Sequence, residues 1–324
     1  MSSLVFLTGA TGFVGSHVAE ALVRSGFRVR CAIRTTSDVR WLRGLPVEAV
    51  ETKTIDLSST TAIAESLTDV THVVHAAGIT RASSDSDYYT VNADVTEIVA
   101  EAAVRASVRR FVLISSLAAR GPDGSGGPAS PYGASKLESE LRLKKVVASG
   151  GSMEPRVLRP GGVYGPRDKD LLPLFQVARS GFVPVPRGVG RLQPVYASDV
   201  ATAVLQALDV GWGEDGPFHL GGPDIHTWEE IAEALGAAIG RRVRPVRVPA
   251  ALFLAAGSLS EFAALIRRRA PDLDRRRARD LTRLDWTCEL DPVERELGWR
   301  PRVSLRQGLA EAADWYREAG WLGR

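Results

Sequence analysis

The chain places a tyrosine and a lysine four residues apart, Tyr132 and Lys136, in the run Ser130-Pro131-Tyr132-Gly133-Ala134-Ser135-Lys136. Ser130 before Pro131 reads as a helix N-cap with a proline in the first turn, so the two side chains share one helix face. An ammonium beside a phenol stabilises the phenolate and lowers the phenol's pKa, which brings the tyrosine closer to acid/base use at neutral pH. Ser116 stands sixteen residues earlier, at the end of the strand-like run Arg110 to Ser116. Its hydroxyl can donate to the same substrate oxygen as the phenol.

A second group of residues is suited to holding an anion. The apolar run Leu4-Val5-Phe6-Leu7 shows no alternation, as expected for a strand buried on both faces of a parallel sheet. It is followed by Gly9, Gly12 and Gly15, whose small size allows a sharp turn and close approach of backbone amides to a ligand. Val14, Val18, Ala21 and Leu22 then recur at helical spacing, and Gly26 supplies a stop. Strand, glycine turn and helix together put a helix N-terminus where a pyrophosphate can sit.

The elements that must carry these residues alternate between strand-like and helix-like through the first half, which predicts a doubly wound α/β fold with a parallel Rossmann sheet. The second strand reads Phe27 to Arg34, the third ends at Ile55-Asp56-Leu57, and the fourth spans Thr71 to His75 and runs into Ala76-Ala77-Gly78. Asp87 to Ala106 reads as a helix, Gly121 to Ser130 as a loop, Pro131 to about Ala148 as a helix, and Val157 to Pro160 as the start of a strand. Later come helices at Ser198 to Val210 and Thr227 to Ile239, with a short strand at Phe218 to Gly221 between them. Asp199 near the start of the first suits the helix dipole. Asp291-Pro292 and Ser304 with Gln307 are further helix starts. The expected division is a dinucleotide-binding domain over 1–162 and 195–222, with a smaller, mostly helical substrate domain over 163–194 and 223–324.

Arg34 ends the second strand nineteen residues after Gly15. A carboxylate there would bond the adenosine ribose hydroxyls. An arginine favours a 2′-phosphate, whose oxygens its forked donors match, so NADP is expected over NAD. Asp56 suits either the adenine amino group or a cap for a helix beginning near Ser58. Ala76, Ala77 and Gly78 are small enough to let a cofactor cross a strand end.

Bulk properties narrow the class. The chain has 324 residues and a formal net charge of +3, and its basic pI reflects arginine abundance rather than a polybasic tail, so nucleic acid is not an expected partner. Cys31 and Cys288 are far apart and have no metal-ligand spacing, which fits buried thiols in a reducing compartment, and no metal is expected. The first strand starts almost at Met1, leaving no room for a signal peptide, and the apolar stretch Ala250 to Ile266 is too short and polar to span a bilayer. A cytoplasmic location is therefore expected.

Taken together these residues resemble the short-chain dehydrogenase/reductase superfamily in its extended form. The motifs are Thr8-Gly9-Ala10-Thr11-Gly12-Phe13-Val14-Gly15, Asp56-Leu57, His75-Ala76-Ala77-Gly78, Asn92, Ser115-Ser116, Tyr132-Gly133-Ala134-Ser135-Lys136, Arg159-Pro160 and Val163-Tyr164-Gly165-Pro166. The resemblance implies Ser116, Tyr132 and Lys136 as catalytic residues. Tyr132 would exchange a proton with the substrate oxygen, Lys136 would hold the nicotinamide ribose and tune the tyrosine, and Ser116 would orient the carbonyl. It also implies a cofactor site built from Gly9, Thr11, Gly12, Phe13, Val14, Gly15, Arg34, Asp56, Leu57, Ala76, Ala77, Gly78, Asn92, Tyr132, Lys136, Pro160 and Val163.

Departures from the pattern bear on the branch. Dehydratases carry a threonine-aspartate-glutamate triplet at the catalytic serine, whereas Leu117 and Ala118 follow Ser116 here. Nucleotide-sugar epimerases have an asparagine before the Val-Tyr-Gly-Pro segment, where this chain has Gly162, and Arg191 stands about one residue out of register with their diphosphate clamp. Arg30-Cys31-Ala32-Ile33-Arg34, Arg159-Pro160-Gly161-Gly162-Val163-Tyr164-Gly165 and Val195-Tyr196 are more similar to the 3β-hydroxysteroid dehydrogenase and dihydroflavonol reductase branches. These imply an apolar ketone or secondary alcohol. Phe175, Phe182, Val183 and Val185 either line such a pocket or belong to the core, and the apolar helix from Ala250 is a candidate lid. Arg267-Arg268-Arg269 reads as a solvated helix end, an anionic-membrane contact or a site for a carboxylated substrate. The expectation is an NADP(H)-dependent oxidoreductase, with a nucleotide-sugar epimerase as the alternative and a non-enzymatic nucleotide-binding subunit behind both. Homodimerisation through the helices at Asp87 to Ala106 and Pro131 to Ala148 is a further implication of the resemblance.

Overall fold

The structure is a computed structural model that describes residues 3–46, 50–124, 126–150, 152–187, 190–209, 216–249, 251–252 and 285–323. Its strands are β1 (Leu4–Thr8), β2 (Arg28–Ile33), β3 (Val50–Thr54), β4 (His72–His75), β5 (Arg110–Ile114), β6 (Glu154–Pro160), β7 (Val163–Tyr164), β8 (Phe182–Pro186), β9 (Val195–Tyr196), β10 (Phe218–Leu220) and β11 (Arg244–Val248). Seven of them form a parallel sheet in the order β10-β6-β5-β4-β1-β2-β3. Every residue of β1, β4 and β5 is buried, as befits central strands of a parallel sheet covered on both faces, and the polar side chains His72, His75 and Arg110 are buried with them.

Helices cover both faces. On one side α1 (Phe13–Arg24) and α7 (Ala197–Asp209) pack on Val5, Leu7, Val74 and Val112. On the other, α2 (Thr60–Ser66), α4 (Val95–Arg105) and α5 (Pro131–Ala148) pack on Leu4, Phe6, Val73 and Phe111. The strand order reverses at β1, which has β4 on one side and β2 on the other. In open α/β sheets the ligand crevice lies outside the carboxyl ends at such a switch point.

Several boundaries differ from the sequence reading. β3 ends at Thr54, so Asp56 and Leu57 fall in the following loop rather than in the strand. The helix expected from Asp87 starts two residues earlier, as α3 (Asp85–Tyr89), because Ser84 and Asp87 form a capping box at its start. It then passes through a π-turn at Thr90–Asp94 before continuing as α4.

A third core joins α6 (Leu172–Ala178), α8 (Trp228–Ala238) and, after the short helix α9 (Asp291–Leu297), α10 (Leu305–Glu318) to the strand pairs β7–β9 and β8–β11. The part expected to be mostly helical therefore contains the parallel pair β8–β11, and also β7, whose partner β9 lies in the 195–222 segment expected in the dinucleotide-binding domain. Asp199 does more than complement a dipole. It is buried, and its carboxylate accepts the N–H groups of Arg302 and Val303 at 3.0 Å each, which fastens the segment before α10 to α7. The candidate lid from Ala250 and the Arg267-Arg268-Arg269 run fall within 253–284 almost entirely, outside the described residues. Among the described residues no helix is long and apolar enough to cross a membrane.

Candidate active site

The glycine turn is closed so tightly that only glycine fits at two of its positions. A Cβ on Gly15 would lie 2.1 Å from the Gly9 carbonyl oxygen, and one on Gly9, whose φ is +72°, would lie 2.6 Å from the Ala76 carbonyl. The Gly12 N–H donates to the Gly9 oxygen at 2.9 Å. Gly12 is the N-cap of α1, with no side-chain cap and no acidic residue in the first turn. The first amides and the positive end of the helix are therefore left to an anionic ligand, so these residues fit the pyrophosphate of a dinucleotide. Thr8 braces the neighbouring strand end. Its hydroxyl oxygen lies 2.8 Å from His75 Nδ1 and accepts the Ala77 N–H at 3.1 Å. Burial pushes the His75 pKa down to about 3, so the ring is neutral at ordinary pH.

Across the crevice, Ser130 caps α5 by accepting the Gly133 N–H at 3.3 Å, and Pro131 occupies the first turn. A Cβ on Gly133 would meet the Ala118 oxygen at 2.3 Å, so this glycine lets α5 press against the short 3₁₀ turn at Leu117–Ala119. Ser116 caps that turn, its hydroxyl oxygen accepting the Ala118 N–H at 3.1 Å. Lys136 is 4 % exposed and donates from Nζ to the Ile114 carbonyl at 2.7 Å. Burial lowers its pKa to about 8, against the raising influence of Glu140. The Tyr132 ring lies 6.2 Å from that of Tyr88. Asn92 sits in the π-turn, donating to the Ile79 carbonyl at 3.1 Å and Ser135 Oγ at 2.9 Å and accepting the Ile79 N–H at 2.8 Å. It ties the loop after β4 to α5.

One cavity of about 830 Å³ brings most of these residues together: Gly9, Thr11, Gly12, Phe13, Val14, Gly15, Ala76, Gly78, Asn92, Ser116, Tyr132, Lys136, Pro160 and Val163 all line it. Arg34, Asp56, Leu57 and Ala77 do not. Arg34 is exposed at the end of β2, its N–H donating to Ser37 Oγ at 2.9 Å. Asp56 is exposed and accepts from the Ser58 N–H at 2.9 Å and hydroxyl at 2.7 Å, while the cap of α2 is Ser59. Leu57 packs on the second core cluster. Asp38, Arg40 and Trp41, which sequence reasoning passed over, do line the cavity. The guanidinium groups of Arg40 and Arg167 lie over the Trp41 ring at 5.5 and 5.3 Å.

Leu117, Leu171, Leu174, Trp228, Ile231, Trp286, Leu305 and Leu309 add apolar wall to the same cavity, beside the charged run Arg167, Asp168, Lys169 and Asp170. Of the residues named as either pocket or core, Phe175, Val183 and Val185 are core, and Phe182 is 52 % exposed on β8. Arg191 does not line the cavity, and its guanidinium holds Asp285 at 2.7 Å. Cys31 and Cys288 are unpaired thiols, pushed up by burial to about 12 and about 11.

A Rossmann sheet with a glycine turn and a Ser-Tyr-Lys set at one crevice defines a nicotinamide-dependent enzyme of the extended short-chain dehydrogenase/reductase type. Residues 5–217 match the NAD dependent epimerase/dehydratase family, and the chain belongs to it. It is 33 % identical over 323 residues to a ceramide reductase of Caulobacter vibrioides, covering 98 % of this chain and 96 % of that protein. It is 27 % identical over 337 residues to the 4-hydroxy-2-methyl-3-oxo-4-farnesyl-3,4-dihydroquinoline-1-oxide ketoreductase of Stigmatella aurantiaca, covering 98 % and 97 %. The fold is also that of MoeE5 in complex with UDP-glucuronic acid and NAD, with a TM-score of 0.76, 23 % identity and coverage of 97 % and 99 %. The chain is thus an enzyme of oxidoreductase type.

Proposed function

We propose that this protein is an NADP(H)-dependent reductase, acting reversibly between an apolar ketone and its secondary alcohol. The observation that carries the reading is one cavity lined together by the glycine turn, by Ser116, Tyr132 and Lys136, and by apolar side chains of α6, α8 and α10. A nicotinamide cofactor, when bound, supplies or accepts the hydride. Phe13 and Val14 at the start of α1 receive its pyrophosphate on their amides. Lys136 holds the nicotinamide ribose and its charge favours the phenolate of Tyr132. Tyr132 donates the proton to the reduced oxygen, and Ser116 donates a hydrogen bond to the same oxygen as negative charge develops there. Two relatives support this reading, one named as a ceramide reductase and one as a ketoreductase of a farnesylated dihydroquinoline oxide. The third core, separate from the two that cover the sheet, supports a substrate domain distinct from the dinucleotide-binding one.

The test is an NADPH-oxidation screen over steroid, flavonoid, long-chain and aryl ketones. A reductase consumes one NADPH for each ketone reduced. The epimerase reading requires turnover of a nucleotide sugar with no net consumption, and such a result would replace the present one. Arg191, held at the surface by Asp285, leaves that reading without its diphosphate clamp.

Preference for NADP rests on Arg34. Exposed at the end of β2, it stands on the same loop as Asp38 and Arg40, which do line the cavity. Arg34→Asp is expected to reverse the NADPH/NADH preference, read as the ratio of kcat/KM for the two cofactors. The expected swing is about 10–100-fold, since a charge-assisted phosphate contact is replaced by like-charge repulsion. An unchanged ratio would show that Arg34 does not select the cofactor.

A further inference from the structure

The strand pair β8–β11 carries apolar side chains on both of its sides. The inner side is ordinary: Val183 and Val185 are buried in the third core, whose helices α6, α8 and α10 also line the cavity. Side chains alternate along a strand, so Phe182 and Pro184 point the other way, and the register sets Arg244 and Val246 beside them. This outer side is left to solvent. Phe182 is 52 % and Val246 42 % exposed, and Pro184, opposite Val246, is exposed as well. Two more exposed apolar side chains flank the pair along the chain, Val177 before β8 and Leu252 after β11. Apolar side chains gathered on one exposed face mark a contact surface, which single scattered ones do not.

The charge around this face has one sign. Residues 177–187 and 239–252, which contain both strands and their approaches, carry Arg179, Arg187, Arg241, Arg242, Arg244 and Arg247 and no acidic residue. Arg241 and Arg242 precede β11 at the Phe182 end, where the Arg244 N–H donates to the Gly181 carbonyl at 2.9 Å. Arg187 follows β8 at the other end, its N–H donating to the Val248 carbonyl at 2.9 Å. Arg187, Arg241, Arg242 and Arg244 are exposed, and among the described residues none of their guanidinium groups is paired with a carboxylate. α8 brings acids to the neighbourhood, but Glu229 holds Arg247 at 2.8 Å and Glu230 closes the capping box with Thr227, which leaves Glu233.

We propose that the outer face of β8–β11 docks the enzyme on an anionic phospholipid surface, with Phe182 and Val246 set into the interface and Arg187, Arg241, Arg242 and Arg244 on the lipid headgroups. Such a surface takes both kinds of side chain at once: apolar groups reach below the headgroups while guanidinium groups stay at the level of the phosphates, whose oxygens their forked donors match. A second copy of the chain is the poorer occupant. It gathers unpaired arginines from both copies at one contact, and Pro184, Pro186 and Pro245 lack the N–H groups that strand addition uses. Nucleic acid satisfies the arginines but offers nothing to Val246 and Leu252. Docking here sets the third core, and with it the cavity, beside the phase in which an apolar ketone dissolves.

The experiment is co-sedimentation of the full chain with vesicles of phosphatidylcholine alone and of phosphatidylcholine carrying about one third phosphatidylglycerol. The wild type is expected to pellet with the anionic vesicles and not with the neutral ones, and to be released in part as salt is raised. Phe182→Ser lowers the partition coefficient about tenfold by removing the inserted ring. The double variant Arg242→Glu, Arg244→Glu lowers it at least about tenfold by reversing two charges. Both variants change exposed side chains that do not line the cavity, so NADPH affinity and melting temperature are expected to match the wild type and to show that the loss is not unfolding. Wild type that stays in the supernatant with anionic vesicles overturns the proposal, as does vesicle binding that both variants retain. Should the vesicles fail, a dimer that Phe182→Ser converts to monomer would assign the face to a second copy, and retention on a duplex oligonucleotide would assign it to nucleic acid. No arm reads turnover, so failure here leaves the reductase reading standing, and the NADPH-oxidation screen can fail while docking holds.

Discussion

Tyr132→Phe is expected to lower turnover by about 10²–10⁴-fold, the usual worth of a positioned acid/base group, while NADPH affinity stays near that of the wild type. The substitution removes one oxygen. It leaves intact the α5 cap at Ser130, the Gly133 contact with Ala118 and the Lys136 bond to Ile114, so the helix start and the ribose-binding amine keep their places. The ring contact with Tyr88 at 6.2 Å also survives, because it needs only the aromatic face. The split between lost turnover and retained binding, read from steady-state rates and a cofactor titration, marks a group that acts on substrate alone. Retained turnover would remove Tyr132 from the chemistry and would favour another proton source in the cavity.

Gly15→Ala has an effect of similar size by a different route. Its new methyl would sit 2.1 Å from the Gly9 carbonyl oxygen, and to reach even a 3.0 Å contact the turn must open by about 0.9 Å, the difference of these two distances. Both partners are backbone, so no side chain can swing aside. The displaced atoms are those facing the pyrophosphate, and a misplacement of about 1 Å at a positioned ligand costs about 100-fold. Overpacking adds a destabilisation of about 1–3 kcal/mol. NADPH affinity is accordingly expected to fall about 100-fold, with a lower melting temperature. Gly44→Ala, at a position where a Cβ meets nothing within 4 Å, serves as the control and should resemble wild type in both measurements. Normal NADPH affinity in Gly15→Ala would contradict the assignment of this turn to the cofactor.

Much of the site was readable because it is encoded locally. The β1 run, the three glycines and the Ser130–Pro131 cap each specify a conformation within a few residues, and a parallel sheet covered by helices follows from a strand that must be buried on both faces. The parts that escaped notice depend on distant segments meeting. Asp38, Arg40 and Trp41 reach the cavity because their loop folds back towards Arg167, a contact no local pattern announces. Apolar wall of the cavity comes from α6, α8 and α10, whose inward residues look like ordinary core positions in the sequence. For the same reason Phe175, Val183 and Val185 were open to either reading, and they are core. Asp56 was open between a ligand and a helix cap. Ser59 takes the cap, and Asp56 accepts the Ser58 N–H and hydroxyl. The π-turn that aims Asn92 at Ile79 and Ser135 has no propensity signature, since it is set by the packing of α3 and α4 against α5.

The reading depends most on where the nicotinamide lies. A crystal structure of the full chain with NADPH tests that directly. The expected result has the pyrophosphate on the amides of Phe13 and Val14, the nicotinamide ribose within hydrogen-bond reach of Lys136 Nζ, and the reactive ring carbon facing the space between Ser116 and Tyr132. A cofactor bound away from the glycine turn, or one whose ring points away from Tyr132 and Lys136, would contradict it.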